Sequence, residues 1–196
     1  AKQREKASQD ITTNTKENER ITGILQKEFG IQYVRKTDII RDKLYEELKP
    51  LGYKTLYSNR YIPREIIFSK EIDIEHIIPQ AVLFDDSFSN KTLEFRDVNI
   101  EKTDQTARDY VESKYGDEGF RDYQLRVEDL YKNGAIGKAK RNKLLMKKSE
   151  LPEDFVNRDL TCSQYIAKVA KEMLESYVRT VLPTSGSITN RLREDW

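Results

Sequence analysis

Residues 71–104, which read EIDIEHIIPQAVLFDDSFSNKTLEFRDVNIEKTD, contain the pattern from which the fold can be predicted. Side chains that alternate along 71–76 predict a short β-strand, and residues 91–95 predict a second strand after a polar loop. A helix that contains Asn99 follows, and Asp97 is expected to cap it. The order strand, loop, strand, helix predicts a compact unit that can surround one metal ion.

The polar residues of this segment suit a phosphodiesterase that uses one metal ion. Mg²⁺ binds carboxylate and carboxamide oxygens and keeps several waters, so Glu75 and Asn99 are the candidate ligands. His76 is the only histidine in the chain. An ordinary imidazole has a pKa of about 6.5 and can take a proton from water near neutral pH. His76 is therefore the candidate general base.

Other roles remain open for each of these residues. A lone histidine beside apolar residues is often a packed, hydrogen-bonded side chain, and Asn99 could be an ordinary helix residue. Asp73 shares a face of the predicted strand with Glu75, and it either orients the imidazole or is a solvated strand residue. Lys102 could contact a phosphate, or it could be an ordinary surface lysine.

The composition excludes several classes of protein. Charged residues make up 35% of the chain and hydrophobic residues 37%, which favours a largely helical protein with an extensive polar surface. No apolar run approaches the roughly 18 residues that a membrane span needs. The first ten residues lack the apolar core of a signal peptide, so we expect a cytoplasmic protein. A single cysteine, Cys162, excludes an internal disulfide and a multi-cysteine zinc site.

A basic segment at residues 131–149, YKNGAIGKAKRNKLLMKKS, contrasts with the net charge of only +1. It contains seven lysines and arginines and no acidic residue. Such a segment can neutralise backbone phosphates, and the alternative is a solvated helix face. The candidate phosphate contacts are Lys138, Lys140, Arg141 and Lys143.

The predicted fold class is α+β and helix-dominated, with a ββα-metal core at about 71–115 surrounded by helices. Residues 1–50 predict an N-terminal helical linker and a flanking helix, because apolar residues recur there at helical spacing. We assign residues 51–182 to a nuclease domain and residues 183–196 to a C-terminal linker.

Three stretches of the chain, IEHIIPQ, FDDSFSNKTL and DVNIEKTD, resemble the HNH nuclease domain of the type II CRISPR RNA-guided DNA endonucleases, the Cas9 family. Outside them, LYSNRYIP at 56–63, FVNRDLTCSQY at 155–165 and SITNRLREDW at 187–196 resemble other parts of that family. The chain departs from it at Glu75, where many members have aspartate, and at Ile100-Glu101, where some have Arg-Gly.

The resemblance implies a role for each site residue and a set of partners. His76 would be the general base, Glu75 and Asn99 the ligands of Mg²⁺ (with Mn²⁺ as a substitute), and Asp73 and Lys102 their neighbours. The substrate would be the target DNA strand in an RNA–DNA heteroduplex, and the guide RNA would bind through the full-length protein. The expected further partners are the RuvC and recognition lobes of the parent chain, in the prokaryotic cytoplasm.

We therefore interpret the chain as an excised HNH domain with its linkers, inefficient in isolation. Two alternatives remain: a stand-alone HNH homing or restriction-type nuclease, and a non-catalytic helical module that binds nucleic acid. The first alternative predicts efficient cutting of plain duplex DNA. The second predicts metal-independent binding without cutting.

Overall fold

The structure is a computed structural model that describes residues 2–83, 85–151, 170, 171, 174 and 178. The chain divides into two compact units, Ala1–Glu150 and Leu151–Trp196, and all elements described below belong to the first. The linker predicted at 183–196 lies outside the described residues. Among the described helices, none combines the length and the apolar character that a membrane span requires.

Helices dominate the first unit, and the predicted α+β class is confirmed. The strands are β1 (Ile72–His76) and β2 (Lys91–Phe95). The α-helices are α1 (Lys2–Phe29), α2 (Lys36–Glu47), α3 (Arg96–Lys102), α4 (Ala107–Lys132) and α5 (Lys138–Leu144). Short 3₁₀ helices lie at Lys49–Leu51, Arg64–Ile66, Phe88–Asn90 and Lys148–Glu150.

The two strands form an antiparallel pair, and α3 follows β2 without a connecting residue. The register places Ile72 opposite Phe95 and His76 opposite Lys91. The prediction that Asp97 caps α3 is wrong, since the N-cap is Phe95. The strand runs directly into the helix, so its last extended residue occupies the cap position. Asp97 lies in the first turn, where a negative charge favours the helix N-terminus.

The long helix α4 bends at Gly116 and donates hydrogen bonds to the chain on both sides of β1. Gly116 has φ 66° and ψ −167°, a conformation open to glycine and unfavourable for other residues. Before the bend, the Ala107 backbone N–H donates to the carbonyl oxygen of Ile77 (3.0 Å). After the bend, Arg126 donates to the carbonyl oxygen of Leu56 (2.9 Å). The chain on each side of β1 is thereby attached to one helix.

Residues 52–69 form a short hairpin with a single antiparallel bridge, Lys54 to Tyr61, followed by a 3₁₀ turn. The buried carboxylate of Glu94 holds its tip by accepting from the Ser58 hydroxyl (2.8 Å). Because Glu94 lies in β2, the hairpin is tied directly to the ββα unit.

The N-terminal helices pack on the same unit. Ile21 and Leu25 of α1 are fully buried, and α1 contacts α2. Arg64 pairs with Glu28 of α1 (3.0 Å) and with Asp42 of α2 (2.7 Å), which joins both helices to the turn before β1.

Candidate functional site

Two polar pairs connect β1 to α3. The Asn99 side-chain amide donates to Asp73 Oδ2 (3.0 Å), and the Lys102 ammonium contacts Glu75 Oε1 (2.6 Å). Alternate residues of a strand share one face, and residues three apart on a helix share one face. The two periods therefore bring all four side chains onto one surface, which we call the β1–α3 wall.

The Glu75–Lys102 pair is almost completely removed from solvent. Its side chains are 8% and 1% exposed, respectively. Burial raises the pKa of Glu75, and the ammonium of Lys102 opposes that effect. Burial likewise lowers the pKa of Lys102, and Glu75 opposes the change. The ammonium also donates to the carbonyl oxygen of His76 (3.0 Å), so it is held at two points.

The β1–α3 wall offers oxygen ligands of the kind a hard cation prefers. The Asn99 amide nitrogen is engaged by Asp73, which leaves the amide oxygen available, and Glu75 supplies a carboxylate. Among the described residues there is no cluster of three or more histidine, cysteine, aspartate or glutamate side chains able to enclose a metal. Two oxygen ligands that leave positions for water and phosphate fit Mg²⁺, which rarely occupies an all-protein cage.

The imidazole of His76 contacts Asp86, whereas the sequence indicated Asp73 as a candidate residue to orient it. Its Nε2 lies 3.0 Å from Asp86 Oδ1 and 3.2 Å from the Gln80 amide nitrogen. Lys91 contacts the same oxygen of Asp86 at 2.8 Å. The hydrogen bond from Lys91, and then that from His76, lowers the pKa of Asp86. Asp73, which could have oriented the ring, is instead bonded to Asn99.

Asp86 belongs to the connection between the strands, residues 77–90, which we call the imidazole loop. Asn90 closes this loop: its amide bonds the backbone N–H of Ile78 (3.0 Å), the Ile78 carbonyl (2.9 Å) and the Asp85 carbonyl (2.9 Å). Sequence reasoning assigned no site role to Asp86, because an acid in an irregular loop has no periodic relation to the histidine. Its ten-residue separation from His76 is bridged only when the loop closes.

The basic segment is largely engaged in pairs within the protein. Lys140 is 3% exposed and pairs with Glu47, Arg141 pairs with Glu128, and Lys143 pairs with Asp85. The reason is that α5 packs against α4 and the loop, which turns its cations toward acids of neighbouring elements.

Lys138 differs from the other three predicted phosphate contacts. It is exposed, and in the described part of the chain it has no ion pair. The phosphate role of all four residues remains a prediction. Lys138 is the one whose charge is available without breaking an internal pair.

Models of two known protein domains match parts of this chain. An HNH endonuclease model matches residues 55–108, which include both the β1–α3 wall and the imidazole loop. A model of RuvC endonuclease subdomain 3 matches residues 150–196. The second match begins at the boundary in sequence between the two compact units, inside the range 51–182 that we assigned to the nuclease domain.

The chain is similar to two CRISPR-associated endonucleases. It is 31% identical over 156 residues to Cas9 of Staphylococcus aureus, an alignment that covers 73% of this chain and 15% of that protein. It is 26% identical over 157 residues to Cas9 1 of Streptococcus thermophilus, covering 74% and 14%, respectively. The chain thus spans about one seventh of the length of these relatives.

Solved structures show the same fold. Streptococcus thermophilus Cas9 in complex with an AGGA PAM matches all of this chain and 20% of its own length, with a TM-score of 0.62 and 21% identity. The complex with an AGAA PAM matches with a TM-score of 0.61, also at 21% identity.

Proposed function

Since this chain belongs to the Cas9 family of type II CRISPR-associated endonucleases and contains their HNH nuclease region, we propose that it hydrolyses the DNA strand that is paired with the guide RNA. The observation that supports this most is the β1–α3 wall. There a carboxylate and a carboxamide from distant parts of the sequence share one face, and Lys102 of the same wall donates to the backbone carbonyl oxygen of His76 (3.0 Å). Because the chain is a small part of its relatives' length, the activity is assigned to a longer parent protein.

HNH nucleases are in general metal-dependent, and we assign the ion here to Mg²⁺, with Mn²⁺ as a substitute. Glu75 and Asn99 would hold it through oxygen atoms. When bound, a divalent ion offsets negative charge on the scissile phosphate and on the leaving oxygen. Lys102 neutralises Glu75 when no cation is near, because its ammonium lies 2.6 Å from the carboxylate. Asp73 holds the Asn99 amide so that its oxygen points away from the strand partner.

The role of His76 is to accept a proton from the attacking water. The water oxygen then forms a bond to phosphorus, and the bond from phosphorus to the 3′ oxygen breaks. The 3′ oxygen takes up a proton from solvent water as it leaves, so the products carry a 5′-phosphate and a 3′-hydroxyl. The imidazole is partly exposed at the end of β1, where a water and a phosphate can reach it.

Selection of the DNA target sequence is assigned to the full-length parent protein and not to this nuclease region. Pairing between guide RNA and DNA selects the target in this family, and docking of the HNH domain licenses cutting. We propose that the chain receives the heteroduplex from the recognition and RuvC lobes of the parent, and that residues 150–196 lead into a RuvC subdomain. In isolation the chain would cut slowly, because those lobes are needed to position the substrate.

The test is His76→Ala in the full-length parent. We expect the single-turnover rate of target-strand cutting to fall by about 10²–10⁴-fold, the usual contribution of a general base, while guide-directed DNA binding is unchanged. Asn133→Ala, an exposed substitution at the end of α4, is the matched control. Cutting that persists in the histidine variant would remove His76 from the mechanism. Efficient cutting of plain duplex DNA by the 196-residue chain would favour the stand-alone nuclease instead.

A further inference from the structure

We propose that Asp86 is a positioning residue for His76, and that its carboxylate holds the imidazole in the tautomer with the proton on Nε2 and the acceptor at Nδ1. The tautomer follows from contacts within this chain. The consequence for cutting rests on the proposed function, in which His76 accepts a proton from water.

The first step of the argument is the chemistry of the contact. An ionised carboxylate only accepts hydrogen bonds, so a ring nitrogen that bonds it must carry a hydrogen. Asp86 Oδ1 lies 3.0 Å from Nε2, and Nε2 is therefore the donor. The Gln80 amide nitrogen, which also only donates, lies farther from Nε2 (3.2 Å) and directs its hydrogen to Asp86 Oδ1 (3.3 Å). A neutral imidazole has one donor and one acceptor nitrogen, which leaves Nδ1 as the proton acceptor. No described residue forms a hydrogen bond with Nδ1.

The second step is that Asp86 is ionised and fixed in position. Lys91 is the cross-strand partner of His76, so their side chains lie on the same face of the sheet, and Asp86 bridges the two. Gln80 donates to the same oxygen (3.3 Å). Three N–H groups, from His76, Gln80 and Lys91, therefore converge on one carboxylate oxygen.

The third step is that the backbone on both sides of Asp86 is anchored. Lys143 of α5 pairs with Asp85 and donates to the Ser89 hydroxyl (2.9 Å). Asn90 bonds the Asp85 carbonyl (2.9 Å). An exposed carboxylate on a free loop would sample many positions. Asp86 instead lies between Asp85 and Ser89, whose side chains both bind Lys143.

Asp73, the other acid near the histidine, cannot perform this role from its position. Residues 73 and 75 project from one face of β1 and His76 from the opposite face. Asp73 is also engaged by Asn99 at 3.0 Å.

The experiment uses the fact that His76 is the only histidine of the chain. The 196-residue chain, labelled with ¹⁵N-histidine, has one pair of imidazole nitrogen signals, whose shifts distinguish a protonated nitrogen from an acceptor nitrogen. At about pH 8.5, where an ordinary imidazole is neutral, we expect Nε2 protonated and Nδ1 unprotonated in the wild type. Asp86→Ala should move the signals toward a mixture of tautomers.

The control variant is Asp104→Ala, which removes an aspartate of nearly the same exposure (66% against 64%) that also pairs with a lysine. It should leave the tautomer unchanged. A wild-type spectrum with the proton on Nδ1 would overturn the proposal without any variant. An Asp86→Ala spectrum identical to that of the wild type would also overturn it.

A kinetic measurement in the full-length parent separates positioning from substrate binding. Asp86→Ala should lower the single-turnover cutting rate at saturating Mg²⁺ by about 10–100-fold, the usual effect of losing an orienting partner, with guide-directed binding unchanged. Asp86→Asn keeps an acceptor oxygen and should recover part of the rate. A shifted tautomer with an unchanged rate would refute the positioning role. Cutting that survives His76→Ala would instead refute the proposed function and leave the tautomer assignment intact.

Discussion

The β1–α3 wall and the imidazole loop meet at His76, but their polar groups are secured in different ways. In the wall, Glu75 and Lys102 are nearly inaccessible to solvent and are paired between two regular elements. In the loop, the Asp86 side chain is 64% exposed and is held by donors from both strands and from the loop itself. The comparison predicts that loss of a charge from the wall lowers the stability of the fold strongly, whereas loss of the Asp86 carboxylate has little effect on stability.

The largest effect is expected for Glu75→Gln. This change leaves the Lys102 ammonium buried without its counter-ion, which typically costs about 3–5 kcal/mol in the free energy of unfolding. Urea unfolding of the 196-residue chain measures the loss. Asp73→Asn, at a half-buried position on the same strand face, is the control and should cost far less.

A double variant separates the two roles of Glu75. Glu75→Gln combined with Lys102→Met removes both charges, so most of the lost stability should return. Target-strand cutting by the full-length double variant should not return, because a carboxylate ligand is still missing. Recovery of both properties would contradict the assignment of Glu75 as a ligand.

Asn90→Ala is expected to have the next largest effect. It leaves the backbone N–H and carbonyl of Ile78 and the carbonyl of Asp85 without their partner. Each unsatisfied buried group costs about 1–3 kcal/mol. Water can relieve part of this, so we expect a total of about 2–4 kcal/mol by urea unfolding. Cutting should also fall, because the imidazole loop loses its closure. Asn133→Ala removes one exposed hydrogen bond and should cost no more than about 1 kcal/mol; equal losses in both variants would contradict the assigned role of Asn90.

A smaller effect is expected in the basic segment, where Lys140 and Lys138 form a matched pair. Lys140→Met leaves the partly buried Glu47 unpaired and should cost about 1–3 kcal/mol. Lys138→Met should leave the unfolding free energy unchanged and weaken DNA binding by the parent. If Lys138 contacts one phosphate, the slope of log affinity against log salt should fall by about 0.7–0.9. An unchanged slope would remove Lys138 from the predicted contacts.

The smallest effect is the pH dependence contributed by Asp86. Its pKa is lowered from the usual 3.8, chiefly by the hydrogen bond from Lys91. A lowered folded-state pKa adds stability above 3.8, and this is lost as pH falls through the folded-state value. Asp86→Asn should therefore be slightly less stable than the wild type at pH 7, and the difference should shrink as the pH is lowered below 3.8. A difference that grows on acidification would contradict the assigned contacts of Asp86.

Much of the ββα unit was predictable because it depends on neighbouring residues. Alternation at 71–76 predicted β1, which begins one residue later at Ile72, and the second strand was predicted with its observed bounds. The contacts of Asn99 with Asp73 and of Lys102 with Glu75 also follow from short-range order, since a strand and a helix separated by one strand can pack in few ways. The position of the helix cap was not predictable, because it depends on how directly β2 continues into α3.

The partners of the charged side chains could be identified only in the folded structure. The sequence shows seven cations at 131–149, but it does not show that Lys140 meets Glu47 or that Lys143 meets Asp85, because these contacts join residues far apart along the chain. The same holds for Asp86 and His76, which an irregular loop brings together. Periodic patterns encode which residues share a face, and they therefore predict the residues of the β1–α3 wall. Long-range ion pairs and loop contacts arise only when elements pack, so the packed structure was needed to find the partner of the imidazole.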